Sequence, residues 1–169
     1  MGRHALVWVV AIATLAIASP AWARLGDSIA SFKNSRLLGE TKFRFDGRTG
    51  SSWQFCGATY CEFGQGLLDV DTANGGVIVQ ESLVMALPED DKDERELLKI
   101  TKLFLVDTGI HAPARRKALD AFTKVYETGQ PVGMSLTDSV EMHARCDVNL
   151  GDVLLVIGLK PDTLNWHAQ

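Results

Sequence analysis

Hydrophobic and polar positions along this chain alternate, then recur at helical spacing, then alternate again. From Glu40 to Asp46 the alternation is clean. Thr41, Phe43 and Phe45 fall on one side and Lys42, Arg44 and Asp46 on the other, which predicts a half-buried strand. Asp46-Gly-Arg-Thr-Gly50 turns the chain, and Ser51 to Cys56 returns as a second strand with Trp53 and Phe55 inward. A third, short strand is expected over Tyr60 to Phe63. Gly64-Gln-Gly66 separates it from Leu67-Leu-Asp-Val-Asp71. Asn74-Gly-Gly76 is a strong turn signal, and Val77 to Leu87 reads as a long strand stopped by Pro88. Ahead of all this, Asp27 opens a predicted helix with Ile29, Phe32 and Arg36 on one side, ended by Gly39.

The middle of the chain changes period. Leu97, Ile100, Leu103 and Phe104 form one helical stripe behind an acidic first turn, with Gly109 at its end. Pro113 opens a second helix whose buried face is Ala118, Leu119, Phe122, Val125 and Tyr126, and Gly129 ends it. Alternation then resumes in Val132, Met134 and Leu136. After a turn at Thr137-Asp-Ser139, Val140, Met142, Ala144, Cys146 and Val148 face one way. Glu141, His143, Arg145, Asp147 and Asn149 face the other. Val153 to Leu159 is apolar throughout, as a centrally placed strand would be. The whole pattern predicts an α+β fold. Its antiparallel sheet combines an N-terminal meander with a C-terminal three-stranded meander and is packed by two central helices.

Composition adds an address. Arg3 and His4 precede an uncharged apolar run from Ala5 to Ala18, then Ser19-Pro20 and an Ala21-Trp-Ala23 cleavage site. This is the layout of a secretory signal peptide, and the run is shorter than the ~20 apolar residues of a span. The expected organisation is a signal peptide over 1–23, one α+β domain over 24–160 and a tail over 161–169. The protein is expected in the periplasm or outside the cell, with no membrane span after cleavage.

The chain after Ala23 has sixteen basic and twenty-one acidic residues, a net charge of −5. That acidity, with no basic stripe, argues against nucleic acid. The charge is uneven: Arg24 to Thr49 holds six basic and three acidic side chains, which leaves −8 on the remainder.

Three cysteines in an exported chain cannot all pair with one another. Cys146 falls on an apolar strand face, where a thiol behaves as a small hydrophobe. Cys56 and Cys61 flank Gly57-Ala-Thr-Tyr60, a loop short enough to fold back into bonding reach, and they are the expected disulfide. A bond from one of them to Cys146 is the alternative. Closing so small a loop contributes only about 2 kcal/mol.

Three other constellations are weaker. Asp69, Asp71, Asn74 and Glu81 supply calcium-type oxygens, but one extra residue breaks the loop spacing and Val77-Ile-Val79 reads as strand. A plain hairpin turn is the expectation, with no metal or cofactor. Glu141, His143 and Arg145 share a polar strand face and offer acid–base chemistry, although an amphipathic strand's wet side has the same look. Six of the eleven aromatics after Ala23 lie between Phe43 and Phe63, a platform for a sugar or peptide if exposed and a hairpin core if not. Phe43, Phe45, Trp53 and Phe55 are expected inward, and Tyr60 at a loop tip is the one expected binding residue. No nucleophile elbow, H-E-x-x-H or phosphate-cradling loop is present.

The functional expectation is a small, non-catalytic binding protein of the bacterial cell envelope whose partner is an envelope protein or a small ligand. The rival is an envelope hydrolase working through carboxylates and His143. Peptide mass mapping of the exported protein without reductant is expected to find Cys56 linked to Cys61. Finding both thiols free would remove the clamp.

Overall fold

The computed structural model describes residues 25–57 and 66–161. The expected signal peptide, Tyr60, Cys61, the short strand over 60–63 and the tail beyond Pro161 lie outside the described residues. Two short helices, α1 (Ile29–Phe32) and α2 (Arg36–Glu40), come first. Four strands follow: β1 (Phe43–Thr49), β2 (Ser52–Gly57), β3 (Leu67–Ala73) and β4 (Val77–Ala86). Two long helices, α3 (Asp91–Asp107) and α4 (Ala112–Thr128), lead into β5 (Val132–Ser135), β6 (Val140–Asp147) and β7 (Asp152–Leu159). The strands form one sheet in the order β1-β2-β3-β4-β7-β6-β5, with every neighbouring pair antiparallel.

This is the α+β arrangement that the sequence predicts, with one addition. The two meanders join through β4 and β7, which pair from Gln80↔Gly158 to Ala86↔Asp152. That union puts the apolar Val153–Leu159 run between two strands, and the α3–α4 pair covers one face of the sheet. The positive-φ glycines Gly75 and Gly76 turn β3 into β4 at Asn74-Gly-Gly76. Asp90 caps α3 by accepting from the Lys92 and Asp93 amides at 2.8 Å. Gly129 closes α4 in the left-handed region, where a Cβ would be strained.

Four expectations need correction. The single N-terminal helix is two, because the chain restarts at Ser35, whose hydroxyl accepts from the Leu38 amide; Gly39 lies inside α2 rather than after it. The first strand begins at Phe43; Phe45 keeps the face of its partner Phe55 but, on the edge strand β1, is 53% exposed, and the register slips only after it, before Gly47. Trp53 faces inward beside Val70 and packs against the core, but it is only half-buried. Val148 does not continue β6; the strand ends at Asp147, and Val148 stands in the turn, 72% exposed. Two of the three cations near the start of α4 have definite work. Arg115 donates to the Ile110 carbonyl at 3.1 Å and Lys117 to the Ser135 carbonyl at 3.1 Å, fastening the interhelical link and the end of β5.

The core lies between the sheet and the helices. Leu68, Leu83, Leu155, Ile157 and Met142 from the sheet meet Leu97, Phe104, Ala118, Phe122 and Val125 from α3 and α4, all buried. A second irregularity decides what else enters this layer. Ile78 pairs with Thr72 and Gln80 with Asp71, so Val79 is an extra residue. The bulge lets Ile78 face the core together with Glu81, Leu83 and Met85, although their numbers differ in parity.

Glu81 is therefore interior. It lies opposite Val70 on one neighbouring strand and Ile157 on the other, is completely buried, and neither carboxyl oxygen has a hydrogen-bond partner. Burial pushes its pKa well above the ordinary value, and the Asp107 carboxyl adds to the push. Asp107, at the end of α3, is also fully enclosed. Its Oδ2 accepts from the Leu37 amide at 2.8 Å, which ties α2 to α3. Burial raises its pKa, while the Leu37 amide and the Ser35 hydroxyl pull it down. With those donors, Asp107 is the better seat for a negative charge, and Glu81 is the group that keeps its proton.

Between the unfolded value of about 4.3 and its higher folded value, Glu81 binds more proton in the native state than in the unfolded one. Its contribution to stability is thus complete below pH 4 or so and declines as pH rises through that window. Glu81→Leu is expected to be more stable than wild type at pH 8, by about 1–4 kcal/mol, with a smaller gain at pH 5. Urea melts at the two pH values check this. A gap that does not widen with pH would contradict it.

Candidate functional site

The strand registers define the face of the sheet opposite the helices. One row across it reads Gly133, His143, Val156, Ser82, Asp69, Gln54. The row beside it carries Arg145, Leu154, Val84, Leu67, Cys56 and Arg44. On the other flank lie Ser135, Glu141, Gly158, Gln80, Asp71 and Ser52. The face is graded. Asp69 and Asp71 stand on β3, Glu141, His143 and Arg145 on β6, and an aliphatic strip of Val84, Leu154 and Val156 runs between them.

The acidic side is held by amides. Gln80 Nε2 donates to Asp71 Oδ2 at 3.0 Å. Asp69 accepts from Gln54, while its Oδ1 is enclosed without a partner. Desolvation raises the Asp69 pKa; the Gln54 hydrogen bond opposes this and the neighbouring Asp71 charge reinforces it.

The β6 side forms a cleft of about 390 Å³ lined chiefly by Pro131, Gly133, His143, Arg145 and Leu154. His143 lies over Gly133, where a Cβ would come within 3.1 Å of its Nδ1, so the glycine provides the seat for the ring. His143 Nε2 is 3.7 Å from Glu141 Oε1, with the two side chains 62% and 37% exposed. At that exposure the pair contributes little to stability.

This geometry bears directly on acid–base chemistry. His143, Ser82 and Asp69 occupy one row, but not in the order a nucleophilic triad needs, because the histidine does not stand between the other two. Strand spacing puts His143 about 10 Å from Ser82 and about 14 Å from Asp69. Glu81 and Asp107, the carboxyls most affected by burial, are on the far side of the sheet.

The calcium-type set is separated in the same way. Asp69 and Asp71 point to the open face and Glu81 into the core, so these ligands do not converge. A second hollow, between Pro88, Glu94 and Tyr126, is ringed by carboxylates. Those acids serve the start of α3, and the Tyr126 hydroxyl donates to Glu94 at 2.7 Å. Burial, then Glu94, pushes the Tyr126 pKa up to about 12.

The cysteines divide between the faces. Cys56 sits on the open face of β2 and Cys146 on the helix-facing side of β6, with three strands between them. Their separation of about 19 Å exceeds the ~7 Å Cα limit for a disulfide, which removes Cys146 as a partner. Cys146 is a free thiol, and burial, then the Asp147 and Asp152 charges, raise its pKa. The Gly57 amide donates to the Gly66 carbonyl at 3.0 Å and closes the base of the segment that carries Tyr60 and Cys61.

The sequence singled out His143, Glu141 and Arg145 as neighbours, and they are. It did not single out Gly133, Leu154, Ser82 or Gln54. Reading Leu67–Ala73 as an alternating strand would have put Asp69 and Asp71 on the polar side with them. No helix among the described residues is long and apolar enough to cross a membrane. Comparison with protein-family models, curated proteins and solved structures finds no match to this chain.

Proposed function

We propose that this chain is an exported, single-domain, non-catalytic binding protein of the bacterial cell envelope, and that it recognises an envelope protein or a small ligand across the open face of its sheet. The graded face carries the reading: acids on β3, an aliphatic strip on β4 and β7, and the His143–Arg145 cleft on β6. Such a surface suits an extended partner with complementary charges, since the apolar strip supplies burial and the flanking charges supply orientation. A disulfide between Cys56 and Cys61 would clamp the β2–β3 connection and present Tyr60 at its tip. The hydrolase reading receives less support, because Ser82 and Asp69 are out of reach of His143.

Affinity capture from the envelope fraction with the exported protein tests the proposal. Wild type, Arg145→Glu and Tyr60→Ala are compared, and both variants are expected to lose a partner that wild type retains. Arg145 is exposed, so its substitution leaves the fold intact. Identical partners for all three proteins would remove the surface assignment. A hydrolytic turnover abolished by His143→Ala would replace it with the enzyme reading.

A further inference from the structure

At the β1 edge of the sheet the core comes to the surface as a ladder of rings. Phe32 meets Phe55 at 5.2 Å between centroids, Phe55 meets Phe45 edge-on at 5.8 Å, and Phe45 meets Trp53 at 5.7 Å. The inner two are buried, and Phe45 is 53% exposed. Two cations stand on the outer rings. Lys33 Nζ lies 4.5 Å from the Trp53 ring and 5.6 Å from the Phe45 ring, and the Arg48 guanidinium lies 4.8 Å from the Trp53 ring. Among the described residues, neither cation has a carboxylate within ion-pair distance. Arg48 commits its Nε to the Gly50 carbonyl at 2.8 Å, which leaves its terminal nitrogens for another acceptor. In a chain that is acidic overall, Lys33, Phe45 and Arg48 lie in Arg24–Thr49, which has six basic and three acidic side chains.

We infer that Phe45, Trp53, Lys33 and Arg48 form a binding site for an acidic sugar, a pyranose bearing a carboxylate. An exposed ring of this size covers the apolar face of one sugar residue, and the two cations stand where a carboxylate on that residue would reach them. The site is separate from the His143–Arg145 cleft, which lies at the other end of the strand order, so either can fail without the other. A lipid surface fits less well. Among the described residues, the other large exposed apolar side chains, Val148 and Leu150, are in the β6–β7 turn, about 19 Å or more across the sheet, so the three do not form one insertion patch.

The test follows the Trp53 indole N–H resonance of the full exported protein during titration with an oligogalacturonate. Parallel titrations use the neutral galactose oligomer, a polyglutamate peptide, and vesicles of phosphatidylglycerol with phosphatidylcholine. The oligogalacturonate is expected to bind at least about tenfold more tightly than the neutral oligomer, and more weakly as salt rises. Phe45→Ala and the double variant Lys33→Gln with Arg48→Gln are each expected to lose about tenfold in affinity. Phe45→Tyr is expected to retain binding. If Phe45→Ala fails to fold, the double variant decides, because both cations are exposed. Equal affinity for acidic and neutral oligomers, or wild-type affinity in the double variant, would overturn the inference. So would binding of the peptide or the vesicles in place of the oligogalacturonate.

Discussion

The fold depends on the pairing of β4 with β7. Without it the chain would hold two separate meanders, each with an unpaired edge and half a core. The partners are about seventy residues apart in sequence, and the α3–α4 hairpin with β5 and β6 fills the gap. Closing a loop of that length costs little more than closing one of half the length, because the entropy grows with its logarithm. In return, Leu83 and Met85 meet Leu155 and Val153 at the middle of a seven-stranded sheet, and the apolar run of β7 finds a neighbour on each side.

This pairing also fixes which side chains have no route to water. With β3 and β7 flanking β4, residues of β4 that point toward the helices are enclosed whatever their chemistry. Leu83 and Met85 suit that layer and Glu81 does not. The bulge at Val79 keeps Ile78 in the same layer as Glu81, and Asp107 arrives from α3 with a second carboxyl. Two buried acids without a cation between them cannot both be charged at low cost. The Leu37 amide and Ser35 hydroxyl favour charge on Asp107, which leaves the proton with Glu81. The same partition keeps the burial-shifted carboxyl pair behind the sheet. The open face holds exposed His143 and Arg145 beside half-buried Asp69 and Asp71, which is the physical ground for reading it as a recognition surface.

Much of the architecture was legible in the sequence because it rests on long, unbroken periods. The α3 and α4 stripes at 3.6-residue spacing and the alternation over Val140–Cys146 specify faces independently of tertiary context. The losses fall where one inserted residue resets a period. Phe45 reads as inward by strict alternation and does share the face of Phe55, but its place on the edge strand leaves it half-exposed, which no local pattern announces. Glu81 was read only as the last of the calcium-type oxygens, and the bulge at Val79, an aliphatic residue like Val77 and Ile78, gives no composition signal. The β4–β7 union was not legible at all, since nothing local to either strand names its partner. For the candidate site, His143, Glu141 and Arg145 were visible as one strand's polar face. Leu154 and Gly133 were not, because they join that face only through pairing.

The placement of β4 between β3 and β7 shows most directly in the protonation of Glu81. A ¹³C NMR titration of its side-chain carboxyl in the folded protein reads that state without a mutation. The midpoint should lie well above the ~4.3 of a solvated glutamate, with the resonance at the protonated position while exposed carboxylates have already ionised. A midpoint near 4.3 would mean that the carboxyl reaches water or a cation, and would contradict the placement of β4 between β3 and β7.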